Sequence, residues 1–118
     1  MDMRLELVPL RSTDIDRSRA FYVEQVGFGL DHDVEPGNGM RIVQLTPPGS
    51  ACSVVLGVGG PEAAPVAGLH LVVDDVHAAC AELRERGVDV TDVEDMGGVR
   101  YARFSDPDGN SWALQQLG

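Results

Sequence analysis

The side chains able to do chemistry in this chain are few, and His70 stands out among them. It lies in Gly68-Leu-His-Leu-Val72, an alternating run that points the imidazole away from the face shared by Leu69 and Leu71. Strand phase gives it Tyr101, Arg103 and Gln115 as polar company, with Ser53 from the middle of the chain. An imidazole serves as acid, base or hydrogen-bond partner, while a phenol and a guanidinium stabilise developing negative charge. His32, in Asp31-His-Asp33, alternates with acids and reads as a solvated strand residue, and His77 reads as helix surface. Cys52 and Cys80 fall in different elements without CxxC spacing, which predicts buried free thiols rather than a disulfide or metal pair. Asp106 and Asp108 look like paired carboxylates, but in Ser105-Asp-Pro-Asp-Gly-Asn110 they belong to a tight turn and serve its backbone. The chain contains no GxSxG, P-loop or HExxH pattern.

These residues must be held by strands. Around the Ser105 to Asn110 turn, Ala102, Phe104, Trp112 and Leu114 share one face, while Tyr101, Arg103, Ser111 and Gln115 fall near the other. Residues 4 to 10 alternate as a first strand, with Val8 and Leu10 on one face and Leu7, Pro9 and Arg11 on the other. Capping residues from Ser12 to Asp16 then open a helix with a stripe of Ile15, Ser18, Tyr22 and Val26, which Gly27 ends. Strands are expected at 28–34, 40–46 and 51–56, separated by Gly- and Pro-rich turns. After a linker-like stretch at 57–67 the order repeats: strand 69–73, a helix capped by Asp75 with Val76, Ala79, Cys80 and Leu83 inward, then strands 88–93, 99–105 and 111–117.

The repeat holds by offset. Leu7 and Gly68, Leu10 and Leu71, Asp14 and Asp75, Ile15 and Val76, and Ala20 and Ala81 all differ by 61. Gly27 and Gly87, then Gly49 and Gly109, differ by 60. Two copies of one supersecondary unit explain this better than chance. The expected organisation is a first βαβββ module at 1–56, a linker at 57–67 and a second module at 68–118, within one compact domain.

Composition narrows the classes. At 43% hydrophobic and 24% charged, the chain is ordinary globular protein, with no stretch of ~18 to 20 apolar residues to cross a membrane and no signal-like N-terminus. A cytoplasmic protein is expected. A net charge of −10, with nine scattered basic residues, argues against nucleic-acid binding, which needs a basic face to displace counterions.

The strand, Asp-Pro-Asp-Gly-Asn turn and closing strand ending in Gln, preceded by Thr13-Asp-Ile-Asp-Arg-Ser-Arg-Ala-Phe-Tyr22 ahead of Gly27-Phe28, resembles the vicinal oxygen chelate superfamily. That superfamily includes glyoxalase I, the bleomycin-resistance proteins and the extradiol dioxygenases. The resemblance covers essentially the whole chain. It implies an α+β fold in which two βαβββ modules form a cupped, partly open eight-stranded sheet with helices on the convex side. Metal-using relatives place His or Glu ligands on the first and last strand of each module. The matching positions here are Leu7 and Gly68, then Ser53 and Ala113 by counting four residues from each turn glycine, and none is a useful ligand. No metal or other cofactor is therefore expected. His70 is two residues from Gly68, ~7 Å along the strand. It stands open as a pocket hydrogen-bonding residue, a structural residue or a displaced metal ligand.

The cup face so read carries Leu7, Pro9, Ser53, His70, Tyr101, Arg103, Ala113 and Gln115 as candidate ligand-binding residues, apolar walls with a few directed polar groups. The expected function is binding of a small, partly apolar or aromatic molecule in a resistance or sequestration role. Relatives often build the cup across two chains, so a homodimer is expected, and Tyr101 and Arg103 stand open as rim residues of its interface. Two further readings remain. One is a lyase, isomerase or dioxygenase-like enzyme of the same superfamily using His70 as acid or base, and the other is a dimeric scaffold with a vestigial cup.

Overall fold

The computed structural model describes residues 1–58 and 61–118. It divides into two compact units, Met1–Ala64 and Pro65–Gly118. Residues 59 and 60 of the expected linker lie outside the described residues.

The first unit runs β1 (Leu7–Leu10), α1 (Ile15–Ala20), a π-helical segment (Phe21–Val26), β2 (Gly29–Gly37), β3 (Met40–Thr46) and β4 (Ser53–Leu56). Its sheet order is β1-β4-β3-β2, with β1 parallel to β4 and the other pairs antiparallel. Asp14 caps α1 by accepting from Arg17 N at 3.1 Å. The helix then widens: the amide of Gly27 reaches back five residues to the Tyr22 carbonyl at 2.8 Å, and Phe28 N shares that acceptor at 2.8 Å. The wider turn lets the consecutive residues Phe21 and Tyr22 both bury their rings, which a regular helical stripe through Tyr22 does not predict. Tyr22 stacks on Phe28 at 5.3 Å and meets Phe21 edge-on at 5.2 Å. Gly27 ends the helix at φ 95°, as the sequence indicates. With Leu10, Val43, Leu45 and Leu56 these rings form the unit's core, and burying each large side chain contributes about 1.5 to 3 kcal/mol.

The second unit runs β5 (Leu69–Val72), α2 (Val76–Glu85), β6 (Glu94–Met96), β7 (Val99–Ser105) and β8 (Ser111–Gln116). Its order, β5-β8-β7-β6, repeats that of the first, with β5 parallel to β8. Asp75 caps α2 through Ala78 N at 3.0 Å, and Gln116 Oε1 takes the orphan amide of Val76 at 2.8 Å. Val76, Cys80 and Leu83 of α2 are buried, as are Ala102, Phe104, Trp112 and Leu114 on one face of the sheet, where Phe104 and Trp112 stack at 6.2 Å.

The turn between β7 and β8 is built as its residues dictate. Asp106 Oδ1 accepts from Asp108 N at 2.9 Å and Asn110 N at 3.0 Å, and Oδ2 accepts from Asn110 Nδ2 at 2.7 Å. Asn110, fully buried, passes the restraint on by accepting from Val66 N at 2.9 Å.

The α+β class and the two βαβββ modules stand. The eight strands, however, are hydrogen-bonded four and four into two sheets rather than into one. The strand expected at 88–93 is not one. Val88 buries beside the end of α2, and Thr91 pairs with β7 by giving its amide to Arg103 O at 2.9 Å while its hydroxyl replaces a backbone carbonyl for Arg103 N at 2.9 Å. The ladder starts only at Glu94. Cys80 is buried, whereas Cys52 is half-buried, and both are free thiols.

Candidate ligand-binding faces

In the second unit the sheet face opposite α2 gathers five of the candidate residues. Register sets them in two rows: His70, Ala113 and Arg103 are successive partners across β5, β8 and β7, and Val72, Gln115, Tyr101 and Glu94 form the next row. Tyr101 joins the rows. His70 meets its ring at 90° with centroids 6.1 Å apart, and the guanidinium carbon of Arg103 lies 6.0 Å from the same ring centre. Arg103 Nη1 stands 3.7 Å from Glu94 Oε2, an exposed ion pair longer than a hydrogen bond. His70 and Arg103 are exposed, Tyr101 and Gln115 are half-buried, and Ala113 is only 4% exposed, so Ala113 offers a ligand almost no surface.

In the first unit, Leu7, Pro9 and Ser53 share the face opposite the buried side of Leu10, Val43 and Leu56, with Leu7 paired to Ser53 and Pro9 to Val55. Pro9 is exposed and Leu7 half-buried, while Ser53 is only 6% exposed. Ser53 is bound into a polar chain: Gln44 Nε2 donates to its Oγ at 3.3 Å, Thr46 Oγ1 lies 2.7 Å from that oxygen, and the Thr46 hydroxyl donates to Asp31. Gln44, Thr46 and Asp31 were not singled out from sequence. The alternation of β3 carries the signal, since Arg41, Val43 and Leu45 take one face and leave Ile42, Gln44 and Thr46 on the other. His32 pairs with Gln44 and is exposed, as expected of a solvated strand residue.

The registers correct one sequence equivalence. Val8 pairs with Val54 as Leu69 pairs with Trp112, so β4 and β8 are related by an offset of 58 and not 60. The place of Ala113 is thus held in the first unit by Val55, and Ser53 corresponds to Ser111. Two more residues separate the turn glycine from the strand in the first unit, because β4 starts four residues after Gly49 and β8 two after Gly109. The corrected set of Leu7, Val55, Gly68 and Ala113 carries no metal-ligating side chain. Among the described residues no group of three or more His, Cys, Asp or Glu is placed to hold a metal ion.

The opposite faces of the sheets carry the strongest electrostatics. Arg41 binds Asp33 through Nε to Oδ1 at 3.0 Å and Nη2 to Oδ2 at 2.9 Å, and Arg19 also donates to Asp33. The hydrogen bond from Arg41, with the charges of Arg41 and Arg19, holds the Asp33 carboxyl below the usual range against an opposing desolvation. Bonds to Asp33 and Asp16 push Arg41 further up, so it is always charged. This network ties α1 to β2 and β3 and is structural. Burial raises the Cys80 thiol, which keeps it unreactive.

The profile of the Glyoxalase/Bleomycin resistance protein/Dioxygenase superfamily matches residues 4–114, and the chain belongs to that superfamily. Among solved structures it is similar to TnmS3, an antibiotic binding protein from Streptomyces sp. CB03234, at 40% identity and a TM-score of 0.88, covering 99% of this chain and 98% of that one. A glyoxalase/bleomycin resistance protein from the same organism is 42% identical with a TM-score of 0.82, over 96% of this chain and 100% of that one. A superfamily member from Sphaerobacter thermophilus DSM 20745 is 31% identical with a TM-score of 0.84, over 98% of each chain. Comparison with curated protein sequences finds no match. Among the described residues no helix is long and apolar enough to cross a membrane.

Proposed function

We propose that this protein captures a small, partly apolar or aromatic molecule on the helix-free faces of its sheets, in an antibiotic resistance or sequestration role, and that it does so as a homodimer without a bound metal. The observation that carries the reading is the likeness to TnmS3, described as an antibiotic binding protein, at 40% identity over essentially the full length of both chains. The second unit supports it with a suitable surface, an aromatic ring flanked by an imidazole and a guanidinium beside the exposed Val72. The superfamily's metal does not fit these residues, because the positions that would hold it present alkyl groups and a glycine, so no step is assigned to a metal.

The test is calorimetric titration of the protein against a panel of aromatic antibiotics, with recovery of the compound by mass spectrometry. Saturable binding with the compound returned unchanged supports capture. Consumption of the compound would replace this reading with that of an enzyme, and absence of binding across the panel would overturn it.

A further inference from the structure

One hydrogen bond in the second unit fixes what His70 offers to a ligand. Its Nδ1 lies 2.6 Å from the carbonyl oxygen of Gly68. A carbonyl oxygen only accepts, so Nδ1 carries the ring proton, and in the neutral imidazole Nε2 is left with a lone pair and no hydrogen. Among the described residues nothing hydrogen-bonds Nε2, and His70 is exposed. Edge-on contact with Tyr101 holds the ring plane, and the guanidinium of Arg103 stands by the same phenol ring.

We infer that the His70, Tyr101 and Arg103 platform takes its ligand through an aromatic hydroxyl that donates its hydrogen to His70 Nε2. The ligand class is phenols and their fused-ring analogues rather than aryl ethers or other acceptor-only molecules. An acceptor-only ligand would cover Nε2 and leave it unpaired, which costs the desolvation of that nitrogen. A phenol satisfies it, and its ring packs against Tyr101. This class rests on the capture reading above and adds the group by which the molecule is recognised.

The probes are 2-naphthol and 2-methoxynaphthalene, similar in shape and apolar area, of which only the first can donate. Their affinities are measured by fluorescence titration on the intact protein and on His70→Ala, whose exposed position leaves folding unaffected by melting curve. The expected result is that wild type binds 2-naphthol about five- to tenfold more tightly, the worth of one neutral hydrogen bond, and that His70→Ala removes the difference while still binding both. Equal affinity of the two probes for wild type, or a preference that survives His70→Ala, overturns the hydroxyl seat and leaves capture of aromatic molecules standing. Failure of both probes to bind wild type overturns the seat, whereas the capture reading is overturned only by absence of binding across the antibiotic panel.

Discussion

Arg41 grips both carboxylate oxygens of Asp33, one through Nε and the other through Nη2, across the β2–β3 pair. The grip makes part of the stability pH-dependent. Asp33 has a folded pKa below its unfolded value, so its contribution is fully present above the unfolded value of about 3.9 and is lost as pH falls through the lower folded one. Wild type should therefore melt higher than Asp33→Asn at neutral pH, and the gap should close as pH falls below about 4. Melting curves for both proteins from pH 7 downward check this, and a gap that stays constant with pH would contradict it.

Gly57 follows β4 at φ 95°, and a Cβ there would lie 2.0 Å from the Arg41 carbonyl oxygen. That contact is with backbone and cannot be relieved by a rotamer. Gly57→Ala is expected to cost about 2 kcal/mol or more. Gly68 also has positive φ, at 75°, but open space around it, so Gly68→Ala should cost only the ~1 to 2 kcal/mol of the left-handed backbone. Denaturation midpoints of the two variants give the comparison.

The bond between His70 and Gly68 predicts a tautomer. In the neutral ring, nitrogen NMR should show Nδ1 protonated and Nε2 bare, and a spectrum with the proton on Nε2 would remove the basis for a hydroxyl seat.

Arg103→Ala separates pocket from interface. If Arg103 orients a bound molecule, its loss should weaken 2-naphthol binding by about 1 to 3 kcal/mol and barely change stability, since the side chain is exposed. Sedimentation of wild type should give about twice the 12.6 kDa of one chain. A variant that loses the dimer but keeps its per-dimer affinity would move Arg103 from the pocket to the interface.

Added nickel, zinc or iron should leave the melting temperature unchanged within error. A metal bound only by the folded state, at about 100 times its dissociation constant, would add ~2.7 kcal/mol, which such a scan detects. One equivalent of metal per chain by elemental analysis would reverse the assignment of Leu7, Val55, Gly68 and Ala113.

Much of this architecture is written locally. Asp14 and Asp75 cap the helices, Gly27 closes the first with a left-handed backbone, and in the Asp106 to Asn110 turn the Asp106 carboxylate accepts from the amides that follow it. Where several residues must agree at a distance, the pattern was silent. The helix widens at Phe21, where two consecutive rings are buried, and a period of 3.6 does not register such a turn. Residues 88–93 alternate like a strand, yet the Thr91 hydroxyl takes the place of a carbonyl beside β7. Counting from turn glycines misplaced Ser53, since the lengths of Pro47 to Cys52 and of the later turn differ. The open-face residues of the second unit were legible because strand alternation alone assigns them, whereas the Gln44, Ser53, Thr46 and Asp31 chain depends on cross-strand register.

The sheet orders, β1-β4-β3-β2 and β5-β8-β7-β6, also govern the sequence of events during synthesis. In each unit the strand made last enters between the strand made first and the hairpin made in the middle, and among the described residues β8 is the strand hydrogen-bonded to β5. A nascent chain that has left the ribosome as far as Ser105 therefore contains the residues of α2, β6 and β7, but not those of β8, the strand that pairs with β5. Translation must deliver β8 before the sheet of the second unit can close, while all four strands of the first sheet are present once Leu56 has emerged.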